Sequence, residues 1–206
     1  MHFILKTKEN KMPKTKNVPD PTRGKTRLIW EPTYEWTIKF FQEHPELKVG
    51  AEIGVAGGQH IKAIMENTDI EKMYGVDPYY NEGWDMHEYF SVDEDYGGFD
   101  GLYGEVRDML SVYGDRVELI RKTSVEAAPD FEDECLDFVF IDAFHDYENC
   151  FNDISFWHHR VREGGYVMGH DWEHGGHPGV QKAVVEHYGD KVTGVAGPVH
   201  VWYVQV

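Results

Sequence analysis

The residues best able to do chemistry sit at the ends of apolar runs. Asp142 and His145 follow the run Leu136–Ile141, and His170 and Asp171 follow Tyr166–Gly169. A third run, Val49–Val55, passes through Glu52 into the turn Gly54-Val-Ala-Gly57-Gly58, and a fourth, Met73–Val76, ends on Asp77. Glycines let a ligand approach the backbone where a Cβ would collide, and a following helix start offers unpaired N–H groups. A carboxylate at the tip of the next strand can accept both hydroxyls of a ribose, and the interval from Gly54 to Asp77 matches the roughly 20 residues this needs. Glu52 narrows the ligand further. A pyrophosphate beside it would be repelled, whereas a cationic amino acid group would be welcomed. The turn also lacks the third glycine of G-x-G-x-x-G, which disfavours a dinucleotide and an NAD-dependent oxidoreductase. For Asp142 and Asp171 the plain alternative is a pair of strand-tip carboxylates that only accept nearby N–H groups.

These clusters need elements that bring them to one edge. Lys48–Pro78 reads as strand, glycine turn, helix with Ile61, Ile64 and Met65 on one face, and second strand. Before it, Pro32 starts a helix with Tyr34, Ile38 and Phe41 at i, i+4 and i+7. After it, a helix with Leu102, Val106, Met109 and Leu110 on one stripe leads to a strand at Val117–Ile120, then Thr123-Ser124 and a short acidic helix with Pro129. The continuous apolar run Leu136–Ile141 fits a central parallel strand buried on both faces. A helix over Tyr147–Arg162 buries Cys150, Phe151, Ile154, Trp157 and Val161, leaves His158 and His159 toward solvent, and is capped by Gly164-Gly165. Strand five is Tyr166–Gly169, a helix runs from Pro178 to Tyr188, and Val192–Ala196 and Val199–Gln205 are closing strands. The expected fold is α/β, a Rossmann-like doubly wound sheet with helices on both faces. Its parallel strands put Gly54, Asp77, Asp142 and His170-Asp171 on the same edge.

At 206 residues the chain makes one domain with a core of its own. Residues 1–27 carry eight Lys/Arg and two acids, a net +6 within a chain of −17, and are expected to be a disordered basic tail or a contact for an anionic partner. The remainder, residues 28–206, carries −23. A body this acidic repels a phosphate backbone, which argues against nucleic acid. Residues 81–100, rich in acids, aromatics and glycine, form an insertion past strand two, either a substrate lid or a solvated loop. Cys135 and Cys150 lack metal or redox spacing and are expected to be reduced, buried thiols. With no long apolar run and no secretory leader, the chain is expected to be cytoplasmic and free of membrane.

The segment IDAFHDYENCFND followed by GGYVMGHDW, with the E-x-G-x-x-x-G pattern at Glu52–Gly58, resembles class I S-adenosylmethionine-dependent methyltransferases. The resemblance is to the group of macrolide sugar O-methyltransferases and cephalosporin-hydroxylase-type proteins, and runs from about Thr33 to the end. It implies a seven-stranded sheet whose last member is antiparallel. It also implies S-adenosylmethionine as cofactor: Glu52 toward the methionine amino group, Gly54 and Gly58 against the ligand, His60 near its carboxylate and Asp77 on the ribose. Thr123 and Ser124 would meet the adenine edge, with Pro78 and Phe144 as apolar walls. The residue in the place of Asp142 binds a divalent metal in those relatives, acids or amides after strand five complete that site, and the position of His145 holds the general base. Here His170 stands where the relatives carry an acid. An imidazole suits Mg²⁺ poorly, so the ion is a softer one, or His170 has another role, or the site is metal-free. His174 and His177 are further candidate ligands. The substrate class implied is a sugar or other hydroxyl-bearing small molecule. A non-catalytic module that only binds the donor is the remaining alternative, and homo-oligomerisation is left open.

Overall fold

Alternating burial along β4 (Leu136–Ile141) explains the architecture: Phe138 and Phe140 face one helical layer, Val139 and Ile141 the other. The computed structural model describes residues 32–80, 92 and 96–206. Seven strands form one sheet in the order β3-β2-β1-β4-β5-β7-β6. β1 (Val49–Ile53), β2 (Lys72–Val76), β3 (Val117–Ile120), β4 and β5 (Val161–Gly169) pair in parallel. β7 (Val201–Gln205) inserts antiparallel between β5 and β6 (Thr193–Val195). α1 (Pro32–Glu43), α2 (Gln59–Asn67) and α3 (Phe99–Leu110) cover one face, where Phe41, Ile61, Ile64, Leu102 and Val106 pack on Phe138, Phe140 and Met168. α4 (Ser124–Ala127), α5 (Tyr147–Trp157) and α6 (Pro178–Tyr188) cover the other, around Ile154, Trp157, Val184 and Trp202.

Three expectations are corrected. The helix from Tyr147 does not reach Arg162; it ends at Trp157, a 3-10 turn covers His158–Arg160, and β5 begins at Val161. Gly164-Gly165 therefore lies inside β5 rather than capping the helix. The pairing jumps from Leu136↔Val161 to Phe138↔Tyr166, and the extra residues bulge where Gly164 takes φ +78°. Long-range pairing with β4 decides this, which no local glycine signal reveals. Cys135 is exposed, because it lies in the turn before β4, after Glu134 at φ +58°; Cys150 is buried as expected. The basic tail at 1–27 lies outside the described residues, as does the insertion at 81–100 for residues 81–91 and 93–95.

At the edge opposite the predicted site, one carboxylate ties three strands together. Asp137 Oδ2 accepts the backbone N–H groups of Lys48 and Val49, at 2.5 and 2.7 Å, and Oδ1 accepts Arg162 Nε–H at 2.6 Å. Packing between β1 and β4 is equally tight. A Cβ on Gly50 would lie 2.1 Å from Phe138 Cζ, so the ring fills the space a side chain would need. Gly50→Ala should destabilise the fold by about 1–3 kcal/mol, read as a lower urea midpoint at unchanged m; an unchanged midpoint would contradict this packing.

Candidate active site

The glycine turn is held by contacts that leave no room for side chains. Gly54 has φ +89°, and a Cβ there would lie 2.1 Å from the carbonyl oxygen of Asp142, so the tips of β1 and β4 touch. Gly58 caps α2 at φ +73° with its Cα facing Val106 and Met109. From β2, Asp77 Oδ2 accepts the N–H groups of Val55 and Ala56, both at 3.0 Å, and Oδ1 accepts Tyr79 N–H at 2.8 Å. Burial raises the Asp77 pKa, against the pull of those three N–H groups. The predicted ribose carboxylate is thus also the clamp that shapes the turn.

Glu52 points from β1 into the protein, almost fully buried. Its Oε1 lies 3.3 Å from His60 Nδ1, and its Oε2 is buried with no hydrogen-bond partner among the described residues. Burial pushes the Glu52 carboxyl up, against the attraction of His60. On its other side His60 Nε2 is 2.9 Å from Thr37 Oγ1, whose own proton goes to a carbonyl of α1. Tyr34 stacks on the ring at 5.1 Å. Both nitrogens of His60 are therefore engaged within the protein, and its imidazole orients Glu52 rather than being free for a ligand carboxylate.

Beyond β4 and β5 the side chains converge. His145 Nε2 lies 2.8 Å from Asp171 Oδ2 and 3.6 Å from Asp142 Oδ1, and His170 Nδ1 lies 3.4 and 3.7 Å from the same two oxygens. Asp171 reaches this position from φ +60°, the left-handed region that few residues besides glycine, asparagine and aspartate adopt. Burial would raise the two carboxyls and lower the two imidazoles. Their mutual attraction outweighs burial, holding Asp142 and Asp171 down and His145 and His170 up. One oxygen each from Asp142 and Asp171 and Nδ1 of His170 lie within 4.8 Å of one another, a donor set that fits a divalent ion. His145, Asp171 and His177 make a second such group. The His177 ring lies 4.2 Å from that of His145 and 4.7 Å from that of His174, so both predicted extra histidines flank the cluster.

A cavity of about 670 Å³ joins these parts. Glu52, Gly54, His60, Asp77, Pro78, Thr123, Ser124, Asp142, Phe144, His145, His170 and Asp171 all line it, as do His174 and His177. Gly58, expected against the ligand, is not among the lining residues. At the far end Thr123 caps α4 in a reciprocal box with Glu126, so its side chain is spent on the helix. Ser124 Oγ accepts Trp157 Nε1–H at 2.8 Å and bonds to Asp153, a buried acid of the cavity wall.

Sequence reasoning missed Asp153, Thr33 and Thr37. The only available signal was a polar residue inside a helix's buried stripe: Asp153 between Cys150 and Trp157, the threonines four apart on α1. Burial moves the Asp153 carboxyl from 3.8 to about 7, against the Ser124 hydroxyl. An acid whose pKa rises on folding keeps its proton more tightly in the native state, so its contribution to stability falls as pH rises from about 4 to about 7. Asp153→Asn should remove that slope: across this range the wild-type unfolding midpoint drops relative to the variant's. Parallel pH profiles would contradict a buried acid here.

A family profile described as a methyltransferase domain matches residues 51–172, more than half of the chain. The chain is similar in structure to the O-methyltransferase NovP (TM-score 0.60, 18% identity, covering 82% of this chain and 78% of that one). It is similar also to the calicheamicin methyltransferase CalS11 (0.61, 14%, 82% and 77%) and to the S-adenosylhomocysteine-bound Podospora anserina methyltransferase PaMTH1 (0.58, 15%, 84% and 76%). An uncharacterized protein of Acanthamoeba polyphaga mimivirus is 24% identical over 126 residues, 59% of this chain; the chain spans about half the length of that relative. Among the described residues no helix is long and apolar enough to cross a membrane. With the expected seven-stranded sheet in place and the family profile running from β1 through Trp172, the chain belongs to the methyltransferase-domain family and has the fold of S-adenosylmethionine-dependent O-methyltransferases.

Proposed function

We propose that this chain transfers the methyl group of S-adenosylmethionine to a hydroxyl oxygen of a small molecule, a sugar or a comparable metabolite. The observation that carries this reading is the continuity of one cavity from the Glu52–Gly54–Asp77 turn to the Asp142–His145–His170–Asp171 cluster. The donor fits the first part. Its ammonium group matches the unpartnered Oε2 of Glu52, and Asp77 keeps lone pairs for ribose hydroxyls beside the N–H groups it already accepts. A dinucleotide fits worse, because its pyrophosphate would sit against Glu52.

The acceptor belongs at the second part. Methyl transfer from sulfonium to oxygen is an in-line displacement, so the gain lies in holding donor carbon and acceptor oxygen about 3 Å apart with the hydroxyl proton already directed to a base. Asp142, His170 and Asp171 would hold a divalent ion, which would acidify a bound hydroxyl and offset the carboxylates' hold on the His145 proton. His145, on the loop after β4 and lining the cavity, would then accept the hydroxyl proton. Phe144, Pro78 and Val125 line the apolar part of the cavity and keep water from the donor.

Calorimetric titration with S-adenosylmethionine should show one site per chain, and Asp77→Asn should weaken it tenfold or more. No heat at millimolar donor would remove the basis of the proposal. His145→Ala should leave donor affinity intact and lower turnover about 10²–10⁴-fold, followed as S-adenosylhomocysteine release over a panel of hydroxyl-bearing acceptors; undiminished release would clear His145 of the base role.

A further inference from the structure

Which ion Asp142, His170 and Asp171 would take depends on how α1 holds the His170 ring. Thr33, in the first turn of α1 and 3% exposed, donates its hydroxyl proton to the carbonyl of Val199 at 2.9 Å. A hydroxyl has one proton, so toward His170, whose Nε2 is 3.0 Å away, Thr33 Oγ1 can only accept. Nε2 of His170 therefore carries a hydrogen. The ring nitrogen left facing Asp142 and Asp171 is Nδ1, so whatever Nδ1 binds, a proton or a metal ion, is shared with those two carboxylates. A proton at Nδ1 pairs with the two carboxylates, and a divalent ion that displaced it would find the same three atoms as a ligand set. Their spacings of 3.4 and 3.7 Å to Nδ1 are near the roughly 3.0–3.4 Å between ligands bonded to one ion at about 2.1 Å.

The same device recurs one turn further along α1. Thr37 gives its proton to carbonyls of its own helix and accepts from His60 Nε2, leaving His60 Nδ1 toward Glu52. Two buried threonines at i and i+4 thus set two histidines so that Nδ1 of each faces carboxylate. At His170 the consequence is chemical. One fixed imidazole nitrogen with carboxylate oxygens suits Mn²⁺, Fe²⁺, Co²⁺ or Zn²⁺, whereas Mg²⁺ prefers an all-oxygen shell.

We propose that Thr33 is a positioning residue that holds His170 as an Nδ1 metal ligand and thereby sets the site for a borderline transition ion over Mg²⁺. The proposal rests on the metal-assisted reading above. It takes nothing from the donor site, so the two can fail separately.

The test is titration of the full chain, stripped by chelator, with Co²⁺ followed by visible absorption, then competition by Zn²⁺ and Mg²⁺. Wild type should develop the spectrum of a mixed nitrogen–oxygen site, lose it to stoichiometric Zn²⁺ and keep it in millimolar Mg²⁺. Thr33→Val, which removes the acceptor at nearly equal volume, should weaken Co²⁺ about 10–100-fold, and Thr33→Ser should restore it. His170→Asp should shift the preference toward Mg²⁺, and decides the matter should Thr33→Val fail to fold. Mg²⁺ displacing Co²⁺ at similar concentration, or Thr33→Val binding as wild type does, would overturn the proposal. Absence of any Co²⁺ binding would overturn it together with metal assistance, while an S-adenosylmethionine titration of the same sample shows whether the donor site stands.

Discussion

The contact between Gly54 and the Asp142 carbonyl is the constraint on which the site depends. With no Cβ at position 54, the tip of β1 closes against the tip of β4, and the turn proposed for the donor lies next to the residues proposed for the acceptor. Any side chain at 54 would drive the two tips apart. Because methyl transfer rewards alignment over contact area, a displacement of an ångström there matters more than it would elsewhere in the sheet. Asp77 then fixes the turn from the β2 side through the N–H groups of Val55 and Ala56, and its own loop through that of Tyr79, so one carboxylate both shapes the pocket and lines it.

Charge is organised around the same edge. The chain is strongly acidic, yet the acids at the site are matched locally: Glu52 by His60, Asp142 and Asp171 by His145 and His170. Each pairing leaves something unfinished. Glu52 keeps a buried, unpartnered oxygen, and Asp142 and Asp171 hold two imidazoles between them at distances a shared ion could span. A buried polar atom without a partner is costly, and the Glu52 oxygen on the cavity wall is what a site for a cationic group looks like. α1 supports both pairings through Thr33 and Thr37, which makes the opening helix part of the site as well as of the core.

Much of the framework was legible in the sequence because its signals are local. The continuous run Leu136–Ile141 announced a strand buried on both faces, and the glycine turn with Asp77 announced the first strand–helix–strand unit. What stayed hidden depends on partners far along the chain. Thr33 and His170 are 137 residues apart, and nothing local distinguishes Thr33 from an ordinary helix-start threonine. The start of β5 was misplaced because Gly164-Gly165 resembles a helix cap locally, while its pairing with β4 makes it a bulge. His60 was assigned to the ligand because it follows the turn, but the packing of α1 against α2 gives its second nitrogen to Thr37. Asp153 passed unnoticed since an acid inside an apolar stripe shows its purpose only once Ser124 is seen against it.

A crystal structure of the full chain with S-adenosylhomocysteine tests the central claim most directly. The account predicts the ribose hydroxyls on Asp77, the amino group at Glu52 and the sulfur directed toward Asp142 and His145. An empty cavity, or the ligand bound away from the Gly54 turn, would contradict it.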